Sequence, residues 1–165
     1  MSSEVTTNCT VRPAVQFLSF IHSPSRVWHL PTVPTVDTIR LLIVDKNTKV
    51  RQALEARLGS SDWIEVVGTA RGSAEGVRLY PQLKPDVTLL DAKTAGRPEE
   101  VAEVVRDLAQ QGSTVIVLTS YAFEAEREAA LDSGAAQYLL KDIDSTALIR
   151  EIESIGRTSV NQAKG

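Results

Sequence analysis

Hydrophobic runs and helical apolar stripes alternate along this chain from residue 38 onward. Short runs rich in Val, Ile and Leu are typical of buried strands, and apolar residues at helical spacing are typical of amphipathic helices. The predicted strands are residues 39–44, 63–68, 86–91, 114–119 and 136–140. Helices are predicted at residues 49–58, 73–83, from 98 to near 112, 123–132 and after 144. Three acids are expected on the solvated face of the fourth helix: Glu124, Glu126 and Glu128.

Residues that favour helix ends support these boundaries. Gly59 follows the first predicted helix, Ser73 is a candidate N-cap of the second, and Pro98 suits the first position of the third. Asp144 or Ser145 is expected to cap the last helix. Alternating strands and helices predict a parallel sheet covered on both faces, and strands without polar alternation agree with that burial. The expected fold class is therefore α/β.

The pattern divides the chain into three segments. Residues 1–37 are rich in Ser, Thr and Pro, lack regular periodicity, and are expected to be a disordered or loosely docked tail. Residues 38–157 carry the regular α/β pattern, and residues 158–165 are expected to be a flexible C-terminal tail. Because those last residues are far too few for a helix-turn-helix unit, we expect a stand-alone domain.

Composition and charge narrow the function classes. The chain has 165 residues, is 42% hydrophobic and 24% charged, and has a formal net charge of −3. These values fit a globular protein and argue against direct binding to nucleic acid or to an anionic membrane. The single cysteine excludes an internal disulfide framework. No apolar run reaches the roughly 18 residues of a membrane span, and no signal peptide is indicated, so we expect a cytoplasmic protein.

Polar side chains follow four of the predicted strands. In chain order these strands lead into Asp45 and Lys46, Asp91, Thr119, and Lys141. The carboxyl ends of parallel strands share one edge of the sheet, and ligands of open α/β sheets bind outside that edge. We therefore expect one pocket that gathers two carboxylates, a hydroxyl and two ammonium groups.

Four motifs contain these residues, in this order: Leu42-Ile43-Val44-Asp45, Thr88-Leu89-Leu90-Asp91, Val117-Leu118-Thr119-Ser120, and Gly-Ala-Ala-Gln-Tyr-Leu-Leu-Lys-Asp at residues 134–142. Together they resemble the receiver domains of two-component response regulators. The resemblance covers about residues 38–157. Within the family, the sequence is most similar to the LuxR/NarL-type subfamily, whose members usually carry a C-terminal helix-turn-helix. It implies a CheY-like, flavodoxin-like (βα)5 fold, a doubly wound parallel sheet of strand order 2-1-3-4-5.

The resemblance implies a role for each polar residue. Asp91 would accept a phosphoryl group from a histidine kinase or phosphotransfer protein and form an acyl phosphate. Thr119 would donate a hydrogen bond to a phosphoryl oxygen and move together with Tyr138, while Lys141 would neutralise phosphoryl charge. The implied protein is a phosphoprotein of signal transduction and not an enzyme. A downstream protein partner would respond to it, and a homodimer is left open.

The resemblance also implies a magnesium site, which this chain alters. The ligands would be Asp45, Asp91 and the backbone carbonyl of Lys93, a donor set that suits magnesium. However, Lys46 stands where the family has a second acid, and the loop after Asp91 is more basic than usual. The charges of Asp45, Asp91, Lys46 and Lys141 sum to zero at this site before any metal binds. We expect Lys46 to compete with the ion for Asp91, so that magnesium binding is weak or absent.

Two functions remain open for such a site. Lys46 would take over part of the metal's work in an atypical receiver of a phosphorelay, since phosphoryl transfer depends on positioning and charge neutralisation. Alternatively, an ion pair between Lys46 and Asp91 would hold one state of a pseudo-receiver adaptor without phosphorylation. A flavodoxin-like enzyme that binds a nucleotide or flavin is disfavoured, because residues 45–48 contain no Gly-rich phosphate loop.

Overall fold

Five parallel strands form the centre of the computed structural model, which describes residues 38–163. The strands are β1 (Ile39–Val44), β2 (Ile64–Ala70), β3 (Val87–Asp91), β4 (Thr114–Thr119) and β5 (Ala135–Leu140). They pair in the order β2-β1-β3-β4-β5, and all pairs are parallel. The predicted doubly wound, flavodoxin-like sheet of order 2-1-3-4-5 is confirmed.

Six helices connect or follow the strands. They are α1 (Thr48–Leu58), α2 (Ser73–Leu83), α3 (Ala92–Ala95), α4 (Pro98–Gln110), α5 (Glu124–Asp132) and α6 (Ser145–Ala163). Among residues 38–163, no helix combines the length and the apolar character that a membrane crossing requires. The tail predicted for residues 1–37 lies outside the described residues.

Apolar side chains pack on both faces of the sheet. Leu42 belongs to a buried cluster that includes Val101 of α4, whereas its neighbour Leu41 belongs to a second cluster with Leu58 of α1 and Ile152 of α6. Leu41 and Leu42 are both 0% exposed. Successive side chains of a strand point to opposite faces, so burial of both explains why the strands show no polar alternation.

Several helix ends differ by one or two residues from the sequence prediction, and three differences are larger or concern a cap. The segment after Asp91, expected as a loop, forms the single turn of α3, and Gly96 ends that turn with φ of 110°, a conformation that favours glycine. Ser73 is the first residue of α2 and not its N-cap, which is Gly72. Finally, residues 158–163 continue α6 where a flexible tail was predicted.

Backbone pairing continues past the strand ends and positions the polar residues of the carboxyl edge. The Asp45 N–H donates to the carbonyl of Ala70 at 3.1 Å, which extends the β1–β2 pairing by one residue. The Lys141 N–H donates to the carbonyl of Thr119 at 2.8 Å, which extends the β4–β5 pairing in the same way. Asp45 therefore flanks the central strand β3 on one side and Thr119 on the other, with Asp91 between them.

Candidate functional site

Two buried aspartates and one lysine form the centre of the candidate site. Asp45 is 2% exposed and Asp91 is 4% exposed. The Lys141 ammonium lies 2.5 Å from Asp45 Oδ2 and 2.9 Å from Asp91 Oδ1. Burial opposes the charged form of Lys141, but the attraction of the Asp45 and Asp91 carboxylates outweighs it and raises the pKa of Lys141. Lys141 is therefore a cation at neutral pH and is shared between the two carboxylates.

The two carboxylate oxygens of Asp91 have different surroundings. Oδ2 accepts a 2.6 Å hydrogen bond from the Thr94 hydroxyl. Oδ1 is buried, and within the described residues it accepts no hydrogen bond of good geometry. The contact between Asp91 Oδ1 and Lys141 Nζ at 2.9 Å is therefore an ion pair, and its geometry is not that of a hydrogen bond. Oδ1 is consequently the Asp91 oxygen whose lone pairs are available to an incoming group.

Thr94 links Asp91 to the segment after β1. Its Oγ1 accepts a 2.7 Å hydrogen bond from the Lys46 N–H, so the hydroxyl proton is directed to Asp91 Oδ2. The contact exists because α3 begins directly after Asp91, and residues three apart on a helical turn face each other. The sequence pattern did not indicate Thr94; a hydroxyl three residues after the candidate acceptor is the signal that was present.

The Lys46 ammonium has a different partner from the one expected. Lys46 Nζ donates to the backbone carbonyl of Lys93 at 3.3 Å. The ion pairs formed within residues 38–163 do not include one between Lys46 and Asp91, which is paired with Lys141 instead. The expected competition for the Asp91 carboxylate is therefore corrected. Lys46 instead occupies the carbonyl oxygen that the family resemblance assigned to magnesium.

Arg51 adds a cation that the sequence pattern did not indicate. It is 7% exposed on α1, and its guanidinium donates to the Asp45 carbonyl at 2.6 Å and to the Thr48 hydroxyl at 3.0 Å. Lys141 contacts the two carboxylates, while Lys46 and Arg51 bind backbone carbonyls beside them. The three cations exceed the two carboxylates by one positive charge. The signal for it was weak, because Arg51 falls among helical residues that face solvent.

The donors at this site do not fit the magnesium ion that the resemblance implies. Three of the oxygens that would face the ion already accept hydrogen bonds: Asp45 Oδ2 from Lys141, Asp91 Oδ2 from Thr94, and the Lys93 carbonyl from Lys46. The remaining one, Asp91 Oδ1, lies 2.9 Å from the Lys141 ammonium. In the part of the chain that the structure describes, no three His, Cys, Asp or Glu side chains gather to hold a metal. A divalent ion here would displace ammonium contacts and meet a net positive field.

Thr119 and Tyr138 lie beside the site on adjacent strands, with side chains bonded away from Asp91. The Thr119 hydroxyl donates to the carbonyl of Tyr121 at 2.9 Å. The Tyr138 hydroxyl donates to Glu126 Oε1 at 2.5 Å, and Glu126 is 9% exposed, which corrects the expectation of a solvated acid. Burial and then the bond to Glu126 raise the pKa of Tyr138 to about 12.

The sequence-predicted residues thus fall into two groups. Asp45, Asp91 and Lys141 meet in direct contact, and Lys46 and the Lys93 carbonyl meet each other beside them. Thr119 and Tyr138 lie beside the site and bind the Tyr121 carbonyl and Glu126, respectively. The arrangement offers one buried carboxylate oxygen next to a cation, and a surplus of positive charge around it.

Comparison with known proteins identifies the family. Residues 41–153 match the family model described as response regulator receiver domain. The transcriptional regulatory protein LiaR of Bacillus subtilis is 38% identical over 105 residues, which cover 62% of this chain and 49% of LiaR. The DNA-binding transcriptional activator DevR/DosR of Mycobacterium tuberculosis is 31% identical over 120 residues, which cover 72% and 54%. The chain thus spans about half the length of these curated relatives.

Solved structures agree with the family match. The signal receiver domain of the response regulator NarL from Mycobacterium tuberculosis superposes with a TM-score of 0.67 at 26% identity, covering 73% of this chain and 98% of that one. The response regulator domain of Thermotoga maritima CheB gives 0.62 at 26% identity, with 75% and 97% covered. Receiver domains are signalling domains that generally bind magnesium, interact with histidine kinases or phosphotransfer proteins, and are generally not enzymes. This chain belongs to the response regulator receiver domain family.

Proposed function

We propose that this chain is a phospho-accepting receiver of a phosphorelay, in which Asp91 is the acceptor and side-chain cations supply much of the positive charge that a metal ion supplies elsewhere. One observation carries the proposal: Asp91 Oδ1 is buried, lacks a hydrogen bond and lies 2.9 Å from the Lys141 ammonium. A carboxylate nucleophile needs an available lone pair, and a fixed cation beside it stabilises the charge that develops on the transferred group.

The transfer step would use these two groups directly. Asp91 Oδ1 forms a bond to phosphorus while the bond from phosphorus to the donor's imidazole nitrogen breaks, and that electron pair stays on the nitrogen. Thr94 holds Oδ2 and so fixes the plane of the carboxylate. Lys141 has three N–H donors, so it can contact a phosphoryl oxygen while it keeps its bond to Asp45.

The charge balance of the site supports a reduced need for metal. Lys46, Arg51 and Lys141 exceed the charge of Asp45 and Asp91 by one positive unit. A phosphoryl group carries about −1.5 to −2 charges at neutral pH. Because the new bond removes the negative charge of Asp91, the net added charge is about −0.5 to −1, which the surplus offsets. Phosphoryl transfer depends mainly on positioning and such neutralisation.

The output would pass through Thr119 and Tyr138. To reach a phosphoryl oxygen on Asp91, the Thr119 hydroxyl has to leave the Tyr121 carbonyl, which it contacts at 2.9 Å. Tyr138, on the next strand, is tied to the buried Glu126 of α5. A rearrangement at Thr119 that reaches Tyr138 would change how α5 packs on β5, which is where we place the downstream protein partner.

A second function, a pseudo-receiver adaptor, is favoured by a separate observation. Lys141, Thr94 and Lys46 already bind Asp45 Oδ2, Asp91 Oδ2 and the Lys93 carbonyl. A site with most of its polar atoms already paired has less to gain from a phosphoryl group, because some existing bonds must first be broken. The chain would then present one fixed surface to its partners.

Intact mass spectrometry after incubation with a small acyl-phosphate donor separates the two functions. The phosphorelay proposal expects one phosphoryl adduct on the wild-type chain and none on Asp91→Asn. Asp142→Asn is the matched control, because it removes one carboxylate next to Lys141 in the chain and leaves Asp91 in place. A folded wild-type chain that gains no adduct with or without magnesium would overturn the proposal and favour the adaptor.

A further inference from the structure

A second concave site is lined by residues of α1 and α6 and by Lys141. Its volume is about 310 Å³, at the lower end of the range for small-molecule pockets. The floor is apolar and comes from three elements: Val50 and Leu54 of α1, Leu118 of β4, and Leu148 of α6.

Cations surround this apolar floor. Lys49 and Arg57 of α1 line the pocket together with Lys141, and no Asp or Glu is among the described residues that line it. Arg57 donates to the hydroxyl of Ser145, another lining residue, at 3.2 Å. Within residues 38–163, the ion pairs include neither Lys49 nor Arg57. Both charges are therefore available to a bound anion.

We propose that this pocket binds a small organic anion, with an aromatic ring or short alkyl chain on the apolar floor and a carboxylate or phosphate group at the cationic rim. An apolar pocket with a few convergent polar groups is the usual form of a small-molecule site. The lining residues come from α1, β4, α6 and the segment after β5, and a volume of about 310 Å³ accommodates a compound with a single ring.

Lys141 connects the pocket to the candidate acceptor site. Its side chain lines the pocket, while its ammonium contacts Asp45 and Asp91. An anion at the rim attracts the same ammonium and so competes with the two carboxylates for it. Binding itself does not require phosphorylation of Asp91, so the pocket can be tested on the unmodified chain.

Titration of the full chain with benzoate, phenyl phosphate and the neutral analogue benzyl alcohol tests the proposal. Binding is followed by two-dimensional amide NMR and by calorimetry. We expect saturable binding of both anions, with shifts in α1 and α6, and benzyl alcohol at least about tenfold weaker. No saturable binding of either anion, or equal binding of benzyl alcohol, would overturn the proposal.

A matched pair of variants on α1 locates the binding. Ala53 lines the pocket and Ala56 does not, and both are exposed. Ala53→Phe fills the pocket and should abolish benzoate binding, whereas Ala56→Phe should leave it unchanged. Lys49→Gln should weaken benzoate binding roughly two- to fivefold, the range for an exposed ion pair.

Comparable spectra and melting temperatures for Ala53→Phe and Ala56→Phe establish that both variants fold. Full benzoate affinity in Ala53→Phe would contradict the assignment of the pocket. Asp91→Asn should still bind benzoate, so loss of the phosphoryl adduct and loss of the anion site are distinguishable results.

Discussion

Exchange of Lys46 for aspartate should convert this site into one that binds magnesium well. Lys46 Nζ donates to the Lys93 carbonyl, and Lys141 neutralises the two carboxylates. Lys46→Asp removes the cation from that carbonyl and adds a third carboxylate beside it. Hard oxygen donors are the ligands that magnesium prefers, so the variant restores both a donor and the negative charge that the wild-type site lacks.

The size of the effect follows from Coulomb's law. Lys46 is exposed, so the dielectric constant of water gives a lower bound on its influence. Lys46 Nζ lies 3.3 Å from the Lys93 carbonyl oxygen. An ion on that oxygen would be roughly 5 Å from the ammonium, where repulsion of a divalent ion costs about 1.7 kcal/mol. Removing the charge should tighten binding about 16-fold, and reversing it, which doubles the change in free energy, about 270-fold.

Isothermal titration calorimetry with magnesium chloride at low ionic strength measures this directly, since salt screens exposed charges. Lys46→Gln should show the smaller gain and Lys46→Asp the larger one. Lys49→Asp is the control, because it makes the same change in net charge three residues further along the chain, on the exposed side of α1. Equal gains in Lys46→Asp and Lys49→Asp, or wild-type binding as tight as that of Lys46→Asp, would refute the reasoning.

Three further predictions concern the neighbouring contacts. Thr94→Ala should lower the free energy of unfolding by about 1 kcal/mol in urea denaturation, because two hydrogen bonds are lost. Thr94→Ser keeps the hydroxyl and should keep the wild-type stability, so equal losses in the two variants would contradict the role assigned to Thr94. Lys141→Met leaves Asp45 and Asp91 buried without their cation. It should lower the free energy of unfolding by about 3 kcal/mol at pH 7 and by less at pH 3, and a loss of stability that does not depend on pH would contradict this. Because burial and the bond to Glu126 raise the pKa of Tyr138 from its usual 10.0 to about 12, the contribution of Tyr138 to stability is complete below pH 10 and is lost as the pH rises towards 12. Tyr138→Phe should flatten that decline in denaturation measured between pH 9 and 12, and an unchanged slope would show that the phenol does not cause it.

The meeting of Asp45, Asp91 and Lys141 was predictable because backbone pairing determines it. Each residue ends or follows a parallel strand, so all three lie at one edge of the sheet. The apolar runs and helical stripes predicted that shared edge, and the strand order came from the resemblance to receiver domains. Asp45 and Asp91 follow neighbouring strands, whereas Lys141 follows β5, beyond β4, and reaches both aspartates through its long side chain.

The contacts that make the site unusual depend on local geometry that the pattern does not encode. The Lys46 side chain has four torsion angles. Its ammonium contacts the Lys93 carbonyl and not Asp91 because of where α3 places that carbonyl. Thr94 reaches Asp91 only because the chain makes a helical turn there. Glu126 followed an acidic pattern typical of a solvated face, yet Tyr138 covers it.

The rate of phosphoryl adduct formation on Asp91, measured by intact mass with magnesium and with a chelator, tests the central claim most directly. Side-chain cations already neutralise this site, so the wild-type chain should react at nearly the same rate under both conditions. Lys46→Asp should react quickly with magnesium and slowly with the chelator. A wild-type chain that depends on magnesium as strongly as Lys46→Asp would contradict the account.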